Sequence, residues 1–292
     1  MTFFLLYGGN GWIGQQVQDL LKSKNIPYQI SKERADNETQ VEQELMSLKP
    51  THIISTIGRT HGYHNNQLIP NIDYLEKPDK LVENVRDNLY GPLTLARLAE
   101  KHNIHHTYLG TGCIYTYDKD HPEGDETTGF YEDDIPNFSG SSYSTVKGFT
   151  DRLIKNYSTT LNVRIRMPIT DGKNPRDFIA KILKYEKICN MPNSMSVLPT
   201  LLPLMLDMAL NKVTGKVNLT NPGLISHNQI LEMYKNCVDS DFTWKNFSIE
   251  EQDKVLLSKR SNNCLDTTKL VDMYPDVPDI KTAVMEIIKN MN

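Results

Sequence analysis

Cysteine is scarce in this sequence, and the thiols that are present are scattered. The four cysteines, Cys113, Cys189, Cys237 and Cys264, have neither the paired spacing of zinc ligands nor the density of a disulfide framework. We therefore expect no metal site. We also expect reduced thiols, as in the cytoplasm, where disulfides are rare.

An excess of charge of one sign and a long apolar run are also missing. The formal net charge of −4 predicts no binding to nucleic acid or to a charged membrane surface. The apolar run at 197–210 contains prolines and an aspartate and is too short to span a bilayer. The first residues, MTFFLLYGG, lack a basic region and a cleavage site, so they predict a first strand and not a signal peptide. Together these absences predict a soluble, cytoplasmic protein.

Short apolar runs alternate with amphipathic stretches through the first half of the chain. Strands are predicted at 3–8, 27–31, 51–58, 105–112 and 162–169, and helices at 12–24, 39–50, 86–103 and 141–158. This alternation is typical of an α/β protein with a doubly wound parallel sheet, the Rossmann arrangement.

The second half has a different character, with helices predicted at 175–187, 226–238 and 280–291. We therefore expect a cofactor-binding Rossmann domain over residues 1–168 and a smaller, mostly helical substrate domain over residues 169–292. Part of 196–222 is expected to return to the Rossmann sheet.

A glycine-rich turn follows the first predicted strand and opens the first predicted helix. Glycines at such a turn let backbone N–H groups and the helix dipole meet a pyrophosphate. The turn is therefore predicted to bind a dinucleotide cofactor through Gly8, Asn10, Gly11, Trp12, Ile13 and Gly14.

The end of the second predicted strand reads ISKER, where an acidic residue usually binds the adenosine ribose. Ser31, Lys32 and Arg34 suit a 2′-phosphate better than a ribose hydroxyl, so NADPH is favoured over NADH, with Arg34 as a contact. The alternative is that Lys32 and Arg34 only form a solvated strand end. Asn88, in the predicted helix 86–103, is a further candidate for a cofactor contact.

A tyrosine and a lysine lie four residues apart in YSTVK, on one face of a predicted helix. The tyrosine, Tyr143, has a reference pKa of about 10 and exchanges protons poorly at neutral pH unless its anion is stabilised. The ammonium of Lys147, one turn away, can provide that stabilisation. Thr111, at the end of the fourth predicted strand, supplies a second hydroxyl to hold a carbonyl oxygen.

The order of four features along the chain resembles that of the extended short-chain dehydrogenase/reductase family. These features are the glycine turn, the strand that ends at Thr111, a polar loop at 119–140 and the helix with the Tyr–Lys pair. Members of that family mostly act on nucleotide-activated sugars. The resemblance implies that Thr111 and Tyr143 hold the reacting oxygen, and that Lys147 also contacts the nicotinamide ribose.

The residues after Thr111 separate the branches of this family. The 4,6-dehydratases carry an Asp–Glu pair there, whereas this chain has Gly112 and Cys113, as in the epimerase–reductases. Further segments resemble the UDP-4-keto-6-deoxyglucose 3,5-epimerase/4-reductases of plants and giant viruses, which complete UDP-L-rhamnose synthesis; they include RIRMPI, NPRDFIAKI, YEKICNMPNSM, FTWKNF and RSNN. The segment at 55–66 departs from the plant pattern in a loop that is expected to border the cofactor.

The resemblance implies a specific chemistry. A ketone at C4 acidifies the hydrogens on C3 and C5, and inversion of each centre needs a base on one face and an acid on the other. A thiol has a reference pKa of about 8.5, so Cys113 can be the base if a nearby cation stabilises its thiolate. Lys181, which lies nearer the apolar face of its helix than Lys184 or Lys187, is then the opposite partner.

The resemblance also implies contacts and partners. A UDP-sugar is expected to contact Asn174, Arg176, Asn193 and Arg260, with Asn193 and Arg260 at the nucleotide. A homodimer through helices 86–103 and 141–158 is expected, together with a separate upstream 4,6-dehydratase.

Two other functions stay open at this point. In one, the protein is a simple NAD(P)H-dependent 4-reductase or 4-epimerase of another nucleotide sugar, and Cys113 is only a small buried residue. In the other, it is a non-catalytic, cofactor-binding regulatory subunit. Such subunits typically lack the tyrosine or the lysine, and this chain has both.

Overall fold

The computed structural model describes residues 2–291 and has a six-stranded parallel sheet at its centre. The strands are β1 (Phe4–Tyr7), β2 (Tyr28–Ile30), β3 (His52–Ser55), β4 (Gly62–His64), β5 (Gln67–Ile69), β6 (His105–Thr111), β7 (Thr160–Ile165), β8 (Lys187–Ile188), β9 (Gly215–Asn218) and β10 (Lys245–Asn246). The order across the large sheet is β2-β1-β3-β6-β7-β9. The small pairs β4-β5 and β8-β10 lie outside it.

The helices are α1 (Trp12–Ser23), α2 (Glu38–Leu48), α3 (Lys80–Val85), α4 (Gly91–Lys101), α5 (Ser142–Ile154), α6 (Phe178–Ile182), α7 (Leu198–Leu210), α8 (His227–Cys237), α9 (Ile249–Val255), α10 (Thr268–Met273) and α11 (Ile280–Lys289). A π-helical turn over Arg86–Tyr90 joins α3 to α4. None of the helices described in residues 2–291 is long and apolar enough to cross a membrane.

Both faces of the large sheet are covered by helices, which explains why every residue of the strands β1, β3, β6 and β7 is buried. Alternate residues of β1 point to opposite faces, so Phe4 and Leu6 pack with α1 and α7, while Leu5 and Tyr7 pack with α2 and α4. This arrangement confirms the predicted α/β class with a doubly wound parallel sheet.

The strand order positions the site. Strand β1 pairs with β2 on one side and with β3 on the other, so the chain reverses its direction of winding at β1. The connections on either side of such a point leave a crevice at the carboxyl ends of the strands, where ligands of open α/β sheets bind. The glycine turn after β1, the loop after β3 and the end of β6 all meet there.

A second apolar core lies beyond β7. It contains residues of α6, α8 and α11 together with Met195 and Val197. Strand β9 nevertheless joins the large sheet beside β7, and α7 packs on that sheet. The division at residues 168 and 169 stays a prediction.

Two local elements differ from the sequence prediction. The helix predicted at 175–187 is only α6, Phe178–Ile182, because the chain leaves it to form β8 against β10. The hairpin β4-β5 was not predicted, since Gly62–His64 and Gln67–Ile69 have no clear apolar alternation.

Candidate active site

A long cleft runs from the glycine turn after β1, past the end of β6, to α6 and α9. Side chains of both halves of the chain line it. The predicted catalytic residues all border this cleft: Thr111, Cys113, Tyr143, Lys147 and Lys181.

The glycine turn forms one end of the cleft. Gly8 has a φ of +80°, which favours glycine, and the Gly11 N–H donates to the Gly8 carbonyl at 2.9 Å. A Cβ on Gly14 would lie 2.2 Å from the Gly8 oxygen, so only glycine allows α1 to pack this closely on the turn. The six residues predicted to bind the cofactor in this turn line the cleft. The turn therefore fits a dinucleotide pyrophosphate at the N-terminus of α1.

The end of β2 agrees only partly with the prediction. Ser31 donates to the Glu44 carboxylate at 2.6 Å, and neither Ser31 nor Lys32 lines the cleft. Arg34 does line it, and its guanidinium pairs with Asp36 at 2.8 Å and with Asp87 at 3.0 Å. Of the three residues predicted to favour a 2′-phosphate, the structure thus brings one to the cleft.

Asn88 does not border the cleft, contrary to the direct cofactor contact that was predicted. It is fully buried, accepts a hydrogen bond from the Arg59 N–H and donates to the Arg59 carbonyl, both at 2.9 Å. Asn88 therefore holds the loop after β3 in place. That loop, from Thr56 to Tyr63, borders the cleft as expected.

Thr111, Cys113 and Tyr143 come together at the middle of the cleft. The Cys113 N–H donates to the Thr111 hydroxyl at 3.1 Å, and the Tyr143 side chain lines the same part of the cleft. Burial raises the pKa of Tyr143, although the Thr111 hydroxyl acts in the opposite direction. The phenol is therefore protonated at neutral pH and can donate its proton to an oxygen held between the two hydroxyls.

Lys147 lies one turn of α5 from Tyr143 and is almost fully buried. Its ammonium donates to the Tyr108 hydroxyl and sits 4.7 Å from the centre of that ring. Burial lowers the pKa of Lys147 to about 8, against the opposing effects of Asp151 and Cys113. At neutral pH the ammonium form prevails and provides positive charge next to Tyr143.

Lys181 projects into the cleft from α6, partly buried. Burial lowers its pKa, and the cations Arg176 and Arg260 act in the same direction, while Asp177 opposes them. A lysine with a lowered pKa exchanges a proton near neutral pH more readily than an exposed one. Its place in the cleft fits the predicted role.

The substrate end of the cleft has cationic side chains. Arg176 lies against the His61 imidazole, and Arg260 is held by Asp73 at 3.1 Å. Both arginines line the cleft, with the exposed ring of Tyr185 beside them. Guanidinium groups and an aromatic ring suit a diphosphate and a base.

Asn174 and Asn193 were predicted to contact substrate, and the structure places neither on the cleft. The Asn174 side chain accepts from the Arg176 N–H at 2.9 Å, which closes a turn before α6. Asn193 is fully buried and accepts from the Arg166 guanidinium at 2.6 Å. Both residues support the site without facing a ligand.

Sequence reasoning missed Arg166 as a functional candidate. Its guanidinium donates to the carbonyl of Gly112, the residue before Cys113, at 3.0 Å. A second arginine two residues after Arg164, in a segment predicted to be a buried strand, was a signal that could have identified it. Residues 2–291 contain no group of three or more His, Cys, Asp or Glu side chains placed to hold a metal ion.

Comparison with known proteins places these features in a family. Residues 4–170 match the model of the NAD dependent epimerase/dehydratase family. Over 99% of its length the chain is 51% identical to protein L780 of Acanthamoeba polyphaga mimivirus, covering 98% of it. A crystal structure of that protein, described as the L780 UDP-rhamnose synthase, superposes with a TM-score of 0.94 over 99% of both chains.

Plant relatives are also similar. The chain is 42% identical to a bifunctional dTDP-4-dehydrorhamnose 3,5-epimerase/dTDP-4-dehydrorhamnose reductase of Arabidopsis thaliana, over 99% of this chain and 93% of the relative. It also matches a trifunctional dehydratase/epimerase/reductase of the same plant at 42% identity, spanning 41% of that longer protein. The resemblance predicted from the sequence is thus confirmed, and the chain belongs to the NAD-dependent epimerase/dehydratase family.

Proposed function

We propose that this protein converts UDP-4-keto-6-deoxy-D-glucose into UDP-L-rhamnose by inverting C3 and C5 and then reducing C4 with NADPH. The observation that carries the proposal is the convergence of Thr111, Cys113, Tyr143 and Lys181 on one cleft, next to a turn that fits a dinucleotide. A plain reductase needs the hydroxyl pair and the cofactor, but it needs neither a thiol nor a lysine on opposite sides of a sugar.

The two hydroxyls serve both reactions. Thr111 and Tyr143 hold the C4 oxygen and stabilise the negative charge that it gains when a neighbouring carbon loses a proton. In the reduction, Tyr143 gives its proton to the same oxygen. The positive charge of Lys147 then stabilises the phenolate that is left on Tyr143.

The inversions use groups on opposite faces of the sugar. The Cys113 thiolate takes the proton from C3 or C5, and the Lys181 ammonium delivers a proton to the same carbon from the other face. After each inversion the Cys113 thiol returns its proton to solvent and the Lys181 amine takes one up, so that thiolate and ammonium are restored for the second carbon. When bound, NADPH supplies the hydride for C4.

NADPH is proposed in preference to NADH because Arg34 borders the cleft where the adenosine ribose would lie. Its guanidinium already pairs with Asp36 and Asp87, so a 2′-phosphate would share it with two carboxylates. The preference for NADPH is therefore expected to be modest. A cytoplasmic location, where thiols stay reduced, fits a mechanism that depends on a free cysteine.

We also propose that two copies associate through α3, α4 and α5. Large apolar side chains are exposed on α3, on α5 and on the π-helical turn that leads into α4: Leu81, Val82, Tyr90, Phe149 and Leu153. An exposed apolar patch of this kind marks an interface. The 4-keto substrate must be produced by a 4,6-dehydratase, which removes water from a nucleotide sugar. UDP-glucose 4,6-dehydratase is one of the three activities of the trifunctional plant relative.

The test follows NADPH oxidation and deuterium uptake from D₂O on UDP-4-keto-6-deoxy-D-glucose, with wild type and Cys113→Ala. We expect wild type to incorporate deuterium at C3 and C5 and to form UDP-L-rhamnose, and Cys113→Ala to lose the incorporation. NADPH oxidation by wild type without any incorporation would establish a simple 4-reductase instead. The same assays with the dTDP-sugar would determine which nucleotide is preferred.

A further inference from the structure

Arg166 is a buried cation that is hydrogen-bonded only to neutral groups. Its side chain follows β7 and is 1% exposed. Nε donates to the Ser194 carbonyl at 3.2 Å, and the other N–H groups donate to the Gly112 carbonyl, the Asn193 side chain, and the hydroxyl and carbonyl of Ser261, at 2.6–3.0 Å. Every donor of the guanidinium is used, and none of the acceptors carries a charge.

Arg164, two residues earlier in β7, is a buried arginine whose charge is balanced by a carboxylate. It is fully buried, and its Nε and Nη2 donate to the two carboxylate oxygens of Asp151, each at 2.8 Å. Among residues 2–291, by contrast, no ion pair joins Arg166 to an Asp or Glu side chain. Burying a charge without an ion-pair partner is strongly unfavourable, so such a residue needs a compensating anion or a function.

The groups near Arg166 that could become negative are thiols and a phenol. Burial raises the pKa of Cys264 to about 11 and also raises the pKa of Tyr117, so both are neutral near pH 7. Cys113 is the remaining thiol: it follows Gly112, whose carbonyl accepts from the Arg166 guanidinium at 3.0 Å, and both Cys113 and Arg166 line the cleft. Tyr143 and Lys147 also face Cys113, from α5; the phenol is neutral, and the ammonium is bound to Tyr108.

Gly112 makes the approach possible. A Cβ at this position would lie 3.0 Å from both Cγ and Cδ of Arg166 and 2.6 Å from a Leu265 methyl. A larger residue would therefore push the arginine away from the backbone next to Cys113. Met167, which follows Arg166, has a φ of +39°, a strained conformation that turns the chain from the buried arginine to the cleft.

We propose that Arg166 is a positioning residue for the inversions, because its fixed charge beneath Gly112 stabilises the thiolate of Cys113. The inference rests on the proposed role of Cys113 as the base. The thiol proton passes to solvent, and the thiolate remains beside the guanidinium. An arginine serves better than Lys147 here, since a guanidinium stays charged at every pH at which the protein is folded.

The test measures alkylation of Cys113 by iodoacetamide against pH, quantified on its own peptide by mass spectrometry so that the other cysteines need no replacement. Wild type is compared with Arg166→Met, which removes the charge, and with Arg166→Lys, which keeps it. Arg166→Met is expected to slow Cys113 alkylation by about tenfold or more near pH 7 while leaving the high-pH plateau unchanged. Arg166→Lys is expected to recover most of the loss.

Deuterium uptake at C3 and C5 provides the second readout. It should fall with Arg166→Met in parallel with alkylation, while reduction of the already inverted sugar, UDP-4-keto-L-rhamnose, is largely kept. A merely structural role predicts a different result, in which Arg166→Lys fails like Arg166→Met and both reactions decline together. Ser261→Ala, which removes one neutral acceptor but no charge, is the matched control and should leave the alkylation profile unchanged.

If Arg166→Met does not fold, wild type and Lys147→Met are each compared with their urea-unfolded forms, so that the charge of Lys147 is removed from the comparison. Native Cys113 should reach a larger fraction of its plateau alkylation rate near pH 7 than the same cysteine does in urea; an equal or smaller fraction overturns the inference. Different results would refute the role of Cys113 as the base and the role of Arg166 beside it. Deuterium uptake that survives Cys113→Ala would refute the proposed base, whereas uptake lost in Cys113→Ala but kept in Arg166→Met would refute the role of Arg166 alone.

Discussion

The two ends of the cleft are built in different ways. The cofactor end is formed by the backbone of one short segment, the glycine turn between β1 and α1, which needs no charged side chain. The substrate end is formed by charged side chains from segments far apart, such as Arg176 before α6 and Arg260 after α9, with Asp73 supporting the second. Local geometry thus creates the first site, and tertiary packing creates the second.

This difference determines how each end responds to substitution. At the cofactor end, added volume is harmful because the backbone has no room for it. At the substrate end, removed charge is harmful, because the reaction depends on protons and phosphate contacts. Between the two ends, Thr111 and Tyr143 are the residues proposed to act on both reactions.

The largest effect is expected from Lys181→Met, which removes a proton donor at the substrate end. Deuterium uptake at C3 and C5 should fall by about 10²–10⁴-fold, the usual contribution of a general acid. Reduction of UDP-4-keto-L-rhamnose should change little. Lys184→Met is the matched control, since Lys184 is exposed at the rim of the same cleft; an equal loss in both variants would contradict the assignment.

The rate of C4 reduction as a function of pH tests the role of Lys147 in the middle of the cleft. Lys147 is charged below its pKa of about 8, which burial has lowered, so its support for the Tyr143 phenolate is present at neutral pH and lost as the pH rises. The rate of C4 reduction should therefore be constant near pH 7 and fall by up to about tenfold per unit above 8. Lys147→Arg keeps its charge and should remove this decline. A decline that persists in Lys147→Arg would assign the titration to another group.

Gly14→Ala tests the cofactor end directly. The added Cβ would lie 2.2 Å from the Gly8 oxygen, so the turn must move away from α1. Overpacking of this kind costs about 1–3 kcal/mol, which corresponds to a loss of NADPH affinity of about five- to 150-fold. Binding is measured by quenching of protein fluorescence, and the unfolding temperature shows whether the fold survives. Unchanged affinity would mean that the turn does not hold the pyrophosphate.

The smallest effect is expected from Arg34→Leu, a side-chain change at the end where the backbone dominates. Because Arg34 is shared with Asp36 and Asp87, the ratio of kcat/KM for NADPH to that for NADH should fall by only about three- to tenfold. Lys32→Leu is the control and should not alter the ratio, since Lys32 does not line the cleft. A lower NADPH-to-NADH ratio in Lys32→Leu would mean that Lys32 also contacts the 2′-phosphate, contrary to its position off the cleft.

The same contrast explains how much the sequence could predict. The parallel sheet, the glycine turn and the Tyr143–Lys147 pair depend on neighbours within a few residues, and each was placed correctly. Asn88 and Asn193 were predicted to contact ligands, but the structure places them off the cleft; an asparagine that faces a ligand and one that binds buried protein groups look the same in sequence. The helix α7 escaped prediction because its apolar run has no amphipathic period and contains Pro203.

Arg166 could not have been recognised from the sequence for a related reason. Its importance depends on which acceptors surround it, and these come from residues as distant as Gly112 and Ser261. The strand residue Arg164 has the same local pattern but an aspartate partner from α5. Only the folded chain distinguishes the compensated arginine from the uncompensated one.

The central claim is that one pair of hydroxyls serves two reactions while Cys113 serves only the first. The most direct measurement gives Cys113→Ala and Tyr143→Phe the already inverted sugar, UDP-4-keto-L-rhamnose, and follows NADPH oxidation. We predict that Cys113→Ala reduces it at close to the wild-type rate, whereas Tyr143→Phe loses about 10²–10⁴-fold. Equal losses in the two variants would contradict this division of roles, since the thiol would then be needed for the reduction as well.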